Sequence, residues 1–290
     1  MLSGLIKSMR PRQWPKNGFV FVALLFDGKM FHLPSVLAAT GAFVLLCLMS
    51  GAVYLMNDLV DIESDRLHPT KKNRPLPSGQ VTPKVAAVIA VASAAISLVA
   101  GYFLSMGLAA ILLIYLLTQI AYTFKLKHVV LIDVLTIAAG FVLRIAAGVA
   151  VIEVERFSPW LYVFGGFLAL FMALGKRRAE LVLLGGNASD HRAILDDYSL
   201  ELIDRLQGIV TTSSVVAYSL YTFLAEGLPE NHAMMLTIPF VLYGIFRYLY
   251  LIHIRNEGGA PEDILLRDRP MQITLILYGV MVFAALYLLS

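Results

Sequence analysis

The chain has 290 residues, of which 59% are hydrophobic and only 15% charged, with a mean hydropathy of +0.76 and a net charge of +3. No soluble domain of this size needs so much apolar surface, so the composition excludes a soluble globular enzyme and predicts a polytopic membrane protein. The single cysteine, Cys47, lies in an apolar run, which excludes a disulfide framework and reads as a buried, inert thiol.

Residues 1–17 read as a short amphipathic segment. Leu2, Leu5, Ile6 and Met9 recur at helical spacing, with Lys7, Arg10, Arg12 and Lys16 interspersed. No small-residue site closes the apolar run that follows, so no cleavable signal is expected. Trp14 is placed as an interfacial anchor. Nine apolar spans come next, at roughly 18–33, 35–56, 83–104, 107–124, 129–151, 158–175, 206–225, 232–252 and 271–289. The first is the weakest, since Asp27, Lys29 and His32 sit in its second half. Of the 23 Lys and Arg residues, 20 fall on the side of the N-terminus. The other side holds only Lys29 and Arg156, and Arg144 lies within the fifth span. This asymmetry predicts one multi-pass domain over 1–290 in a cell inner (plasma) membrane, with the N-terminus, the large polar loops and the chemistry cytoplasmic.

The second span, Ser35 to Met56, contains no charge, and then Asn57-Asp58-Leu59-Val60-Asp61-Ile62-Glu63-Ser64-Asp65 brings four acids within eight positions. On a helix advancing about 100° per residue, Asn57, Asp61 and Asp65 lie within about 80° of one another and Asp58 joins the same face. Three carboxylates so close repel unless a cation holds them, and hard oxygen ligands suit Mg²⁺. Asp58, Asp61 and Asp65 are therefore the expected metal ligands. The bland alternative is a solvated acidic helix end outside the membrane. The next stretch, Arg66 to Gly79, has three prolines and a glycine and reads as a loop. Its four cations, Arg66, Lys71, Lys72 and Arg74, directly follow the acidic face. Metal on some oxygens and ammonium or guanidinium on others is what a diphosphate needs.

The pattern Asn-Asp-x-x-Asp-x-x-x-Asp closing a transmembrane helix, with this loop after it, resembles the UbiA superfamily of intramembrane prenyltransferases. Typical members that prenylate aromatic rings carry a second Asp-rich motif after span six. Here that position reads Gly175-Lys176-Arg177-Arg178-Ala179-Glu180-Leu181, with cations in place of aspartates. One metal face and one basic face suit a ligand with a diphosphate at one end and a separate phosphate at the other, such as phosphoribosyl pyrophosphate. Further stretches support this: Arg10-Pro11-Arg12-Gln13-Trp14, Leu126-Lys127-His128 and Pro261-Glu262-Asp263-Ile264 through Arg269. Together they resemble the decaprenyl-phosphate phosphoribosyltransferase family nearly end to end.

The resemblance implies an all-α fold of nine transmembrane helices around a central cavity, with phosphoribosyl pyrophosphate as donor, a polyprenyl phosphate as acceptor and Mg²⁺ as cofactor. It implies no nucleic-acid partner and leaves a homo-oligomer open. In that frame Asn57, Lys71 and Arg74 position the diphosphate beside the metal ligands. Lys176 and Arg177 take the 5-phosphate, and Lys127 and Arg144 are candidates for the acceptor phosphate. Lys16, Arg66, Glu180 and Tyr198 complete the substrate-binding set, with Asp263 and Arg267 as a pair at i, i+4 spacing. Arg144 also reads as a structural residue, since an arginine about 16 Å into a span normally faces the bundle interior and has a partner. Lys176 and Glu180 also read as a plain i, i+4 pair. The rival enzyme is an aromatic prenyltransferase with a degenerate second motif. A transporter or lipid-binding scaffold is disfavoured, because no inverted repeat is visible and the ionisable residues cluster at one membrane face.

Overall fold

A computed structural model describes residues 2–68, 71–152, 154, 158–184, 193–255, 257, 264 and 267–289. Every regular element among them is helical. In order these are α1 (Leu2–Ser8), a 3₁₀ helix (Pro11–Phe21) continued by α2 (Val22–Phe26), α3 (Leu33–Val60), α4 (Ile62–Leu67), α5 (Pro83–Leu104) and α6 (Met106–Phe124). There follow α7 (Ile132–Val151), α8 (Pro159–Leu184), α9 (Leu200–Leu224), α10 (Ile238–His253) and α11 (Arg269–Phe283). Short 3₁₀ turns lie at Lys71–Asn73, Leu126–His128, Ala193–Asp197 and Ala233–Thr237.

Among the described residues seven helical stretches are long and apolar enough to cross a membrane. They are Leu33–Val60, Pro83–Leu104, Met106–Phe124, Ile132–Val151, Pro159–Leu183, Ala233–His253 and Arg269–Leu288. Two of the nine expected spans have a different character. The first, expected over 18–33, is the composite helix Pro11–Phe26, because Pro15 lies inside it without an N–H and Gly28 turns the chain with a φ of 69°. The seventh, α9, is 25 residues long but opens on Glu201, Asp204 and Arg205 and buries Gln207, Ser214 and Thr222.

Helix starts follow the sequence signals. Proline stands in the first turn of α3, α5, α10 and α11. Ser105, Ser199 and Asp268 cap α6, α9 and α11 by accepting from the backbone N–H of Leu108, Leu202 and Met271.

The helices pack into two compact units. The first comprises Met1–Leu24, Lys29–Lys125 and Leu143–Glu153. Its main core gathers Val20, Leu46, Met49, Val53, Leu108, Leu112, Tyr115 and Ala147 around α3. A second cluster, Leu5, Leu55, Leu76, Val81, Ala86 and Ala90, sits under the loop after α4. Gly148 is required here: a Cβ on it would lie 2.0 Å from the Val20 carbonyl oxygen, so only glycine lets the 3₁₀ helix cross this part of α7. The second unit comprises Leu25–Gly28, Leu126–Val142 and Val154–Ser290. Its cores are Phe171, Ile245, Tyr248, Leu251, Ile252 and Met271, and Val134, Ala173, Leu174, Ile194, Tyr198 and Ile203.

Candidate active site

In the first unit the acidic end of α3 is a cluster of ion pairs. Asp58 and Asp65 are buried, with side chains 2% and 4% exposed. The Arg74 guanidinium reaches both, at 3.3 Å from Asp58 Oδ1 and 2.7 Å from Asp65 Oδ2. Arg10 Nη2 lies 2.5 Å from Asp58 Oδ1, and Lys71 Nζ lies 3.7 Å from Asp65 Oδ1. The three cations are 30–43% exposed, so the charges they neutralise are hidden while they themselves face solvent. Arg10 is the residue that sequence reasoning missed in the site, because one arginine in a basic segment says nothing about a partner 48 positions away.

Local folding explains how Arg74 gets there. Pro75, Leu76 and Pro77 are buried, and Leu76 is only 1% exposed in the cluster with Leu5 and Leu55. The Val81 N–H donates to the Pro75 carbonyl, and Gly79 turns the chain with a φ of 77°. The loop read from its prolines is therefore pinned, and Arg74 stands at its fixed end.

The acidic face differs from the continuous helix of the sequence reading. Helix α3 ends at Val60 and α4 starts at Ile62, so Asp61 is a junction with φ −93° and ψ 8°. The i to i−4 hydrogen bonds still run through it, from Asp61 N–H to Asn57 and from Asp65 N–H to Asp61. Asp58 and Asp65 thus meet on one guanidinium, and Asn57 accepts from the Thr123 hydroxyl. Among the described residues no group of three or more acid, imidazole or thiol side chains is placed to hold a metal ion. Of the three expected ligands, Asp58 and Asp65 converge on Arg74, and Asp61 sits at the helix junction between them. That donor set still fits magnesium, which takes one or two protein carboxylates and fills its shell with phosphate oxygens and water. Arg74 marks where the two carboxylates present their charge to a cation.

In the second unit the same chemistry is closed off. Asp133 and Arg177 are both buried, with side chains 0% and 2% exposed, and Arg177 Nε donates to Asp133 Oδ2 at 2.7 Å. Arg177 also donates to Glu180. The Tyr198 hydroxyl donates to Asp133 Oδ1 at 2.7 Å and accepts from the Leu131 N–H at 2.8 Å. Leu131 is held at a φ of 67°, a conformation that costs a leucine energy. Burial, with the hydrogen bond to Asp133, pushes the Tyr198 phenol well above its ordinary value.

Three members of the expected substrate-binding set share these contacts. Arg177, a candidate for the 5-phosphate, joins Glu180 and, through Asp133, Tyr198 in one hydrogen-bonded network. Glu180 pairs with Arg177 at i, i+3 instead of with Lys176. Lys176 is exposed and remains the cation of this turn open to a ligand. Arg178 pairs with Asp204 at 2.8 Å. Asp268 is held below the usual carboxylate range chiefly by its hydrogen bond to Arg247.

The remaining candidates fall as follows. Arg144 is buried in the first unit, where Nε donates to the Asn17 amide oxygen at 2.8 Å, Nη2 donates to the Tyr115 hydroxyl at 3.1 Å, and the guanidinium lies over the Tyr115 ring. Asn17 in turn donates to Cys47 Sγ and Ser50. Arg144 is therefore tied into the core of the first unit, the structural role that its depth in the span also allowed. Lys16 is half-buried on the Pro11–Phe21 helix, and Lys127 is half-buried on the turn Leu126–His128. Arg66 pairs with Glu63 at the surface, and Arg267 is exposed. Asp263 lies outside the described residues.

The model of the UbiA prenyltransferase family matches residues 18–262, and the chain belongs to that family. It is 34% identical to the decaprenyl-phosphate phosphoribosyltransferase of Mycolicibacterium smegmatis, over 99% of this chain and 93% of the relative. It is also 34% identical to the decaprenyl-phosphate phosphoribosyltransferase of Mycobacterium tuberculosis, over 98% of this chain and 95% of the relative. The fold matches a solved UbiA homolog from Archaeoglobus fulgidus bound to GPP and Mg²⁺, with a TM-score of 0.76 and 19% identity, over 98% of this chain and 99% of that one.

Proposed function

We propose that the protein transfers 5-phosphoribose from phosphoribosyl pyrophosphate to a polyprenyl phosphate, releasing pyrophosphate, for a decaprenylphosphoryl-arabinose-type cell-envelope precursor. The observation that carries the reading is 34% identity, over nearly the full length, to relatives named for that activity, on a chain that carries Lys176 within α8 where aromatic prenyltransferases place a second acidic motif. The acceptor phosphate is already an anion and needs no general base. It attacks the anomeric carbon in line as the diphosphate leaves, which inverts that centre.

The chain's own groups supply binding and charge. Arg74 and Lys71, one-third to less than half exposed, bind diphosphate oxygens. Asp58 and Asp65, with Asn57 and Asp61 beside them, would hold magnesium. Bound there, Mg²⁺ supplies electrostatic stabilisation of the departing diphosphate. Lys176 binds the 5-phosphate, and Lys127 is the candidate for the acceptor phosphate. The same reading places the protein as a nine-span plasma-membrane enzyme with its N-terminus and site in the cytoplasm.

The decisive experiment supplies purified protein with labelled phosphoribosyl pyrophosphate plus polyprenyl phosphate, and separately with isoprenyl diphosphate plus an aromatic acceptor. Product from the first pair only, abolished by EDTA and restored by Mg²⁺, is the expected result. Product from the second pair only refutes the donor assignment. Reporter fusions after Ser290 and within 185–195 are expected outside and inside the cell, respectively, and the reverse refutes the topology.

A further inference from the structure

The site's least expected member is Arg10. Its backbone sits in the left-handed region at φ 54°, ψ 62°, which a non-glycine residue adopts only at a conformational cost. Both of its backbone groups are engaged: the N–H donates to the Lys7 carbonyl at 3.1 Å, and the carbonyl accepts from Gln13 at 2.8 Å. Pro11 follows, and the Trp14 indole N–H donates to the Met9 carbonyl at 3.3 Å. The corner is thus fixed from both sides, and it aims the guanidinium over the Tyr54 ring, 4.7 Å from its centre, onto Asp58. A left-handed corner favours glycine, and here it carries an arginine whose head is 30% exposed over a carboxylate that is 2% exposed.

Three cations, Arg10, Arg74 and Lys71, contact two carboxylates, Asp58 and Asp65. All three cation heads are 30–43% exposed, so each can also meet an incoming anion. The geometry points to Arg10 as a diphosphate-binding residue that is parked on Asp58 when no ligand is bound. Asp58, which now neutralises Arg10, is also a carboxylate that would hold a divalent cation accompanying a diphosphate. With Asp58 so engaged, the Arg10 guanidinium would be free to bind diphosphate oxygens. The exchange breaks no covalent bond: one carboxylate trades a guanidinium for a metal ion, and the guanidinium trades a carboxylate for a phosphate oxygen. Tyr54 keeps the freed head over the site by the attraction of its ring face.

This inference rests only on the diphosphate half of the proposed reaction, so it is tested with inorganic pyrophosphate and Mg²⁺ on the full chain in detergent or nanodiscs. The Kd for pyrophosphate is measured calorimetrically for wild type, Arg10→Ala, Arg10→Lys and the neighbouring control Arg12→Ala, together with Tm. Arg10→Ala is expected to raise Kd by about tenfold or more, Arg10→Lys by less, and Arg12→Ala not at all. In a Trp160→Phe background, Trp14 fluorescence is expected to change on adding Mg²⁺ with pyrophosphate in wild type and to stay constant in Arg10→Gln. The Gln variant also carries the Kd comparison where Arg10→Ala fails to fold. An Arg10 variant with wild-type Kd and only a lowered Tm overturns the proposal and leaves the donor assignment standing. Pyrophosphate binding that depends on Arg10, without transfer from phosphoribosyl pyrophosphate, supports the proposal and rejects the donor. Wild-type protein that does not bind pyrophosphate overturns both.

Discussion

The acidic end of α3 and the Arg177–Glu180 stretch of α8 use the same ion-pair chemistry at different degrees of burial. Asp58 and Asp65 are hidden, but their partners Arg10, Arg74 and Lys71 are about one-third exposed and come from the chain's loops and corners. Asp133 and Arg177 are hidden together, and Glu180 and Tyr198 complete their bonding. An ion pair with one solvated member can exchange it at low cost. An ion pair with both members buried cannot, because either one left alone is an uncompensated charge. The first cluster therefore keeps the accessible cations that the proposed diphosphate site needs, and the second is closed by its own partners.

The comparison breaks most readily at Arg177. Arg177→Ala leaves Asp133 buried without its guanidinium, and the expected loss is about 3–5 kcal/mol of stability. Thermal melting and yield after extraction measure it. If Arg177→Ala melts like wild type and only raises the donor KM, the closed cluster is a binding site after all. Asp58→Asn sharpens the other side. Transfer is expected to fall roughly 100-fold or more, on the order of 3 kcal/mol of transition-state stabilisation, with Tm nearly unchanged because Arg10 and Arg74 regain water. Normal turnover by this variant would remove Asp58 from the site.

Tyr198→Phe probes the hydroxyl that serves both Asp133 and the Leu131 N–H. It is expected to cost about 1–3 kcal/mol, seen as a lower Tm and faster hydrogen exchange at Leu131. The phenol is raised in the folded protein, so its contribution is complete below the ordinary tyrosine value near 10 and is lost as pH rises through the folded value. A melting curve series from pH 7 to 11 is therefore expected to decline at its alkaline end in wild type and to lack that component in the Phe variant. Lys176→Ala has the smallest expected effect: a donor KM about tenfold higher, with acceptor KM and Tm unchanged. An unchanged donor KM would make the basic turn only a topology signal.

Much of this was legible in the chain. The acidic run after a charge-free span and the proline-rich cationic loop bring forward Asp58, Asp61 and Asp65 with Arg66, Lys71, Lys72 and Arg74 from spacing, because these residues lie within 17 positions of one another. Long-range pairings were not legible. Asp133 meets Arg177 across 44 positions and Arg10 meets Asp58 across 48, and periodicity carries no information about which helix lies beside which. The break at Asp61 was invisible too, since the backbone hydrogen bonds continue through it while the dihedrals change. Lys176 and Arg177 are adjacent in a run of cations, and only burial separates the exposed one from the hidden one.

The sunken Pro75-Leu76-Pro77 segment has a thermodynamic consequence. An anion reaching Arg74 meets a backbone that folding has already ordered, so association gives up little conformational freedom at that point. The binding entropy is set mainly by water leaving the phosphate and the guanidinium. Replacing Leu76 with glycine would transfer the ordering of the loop from folding to binding, and calorimetry would register it as a more unfavourable entropy of pyrophosphate association.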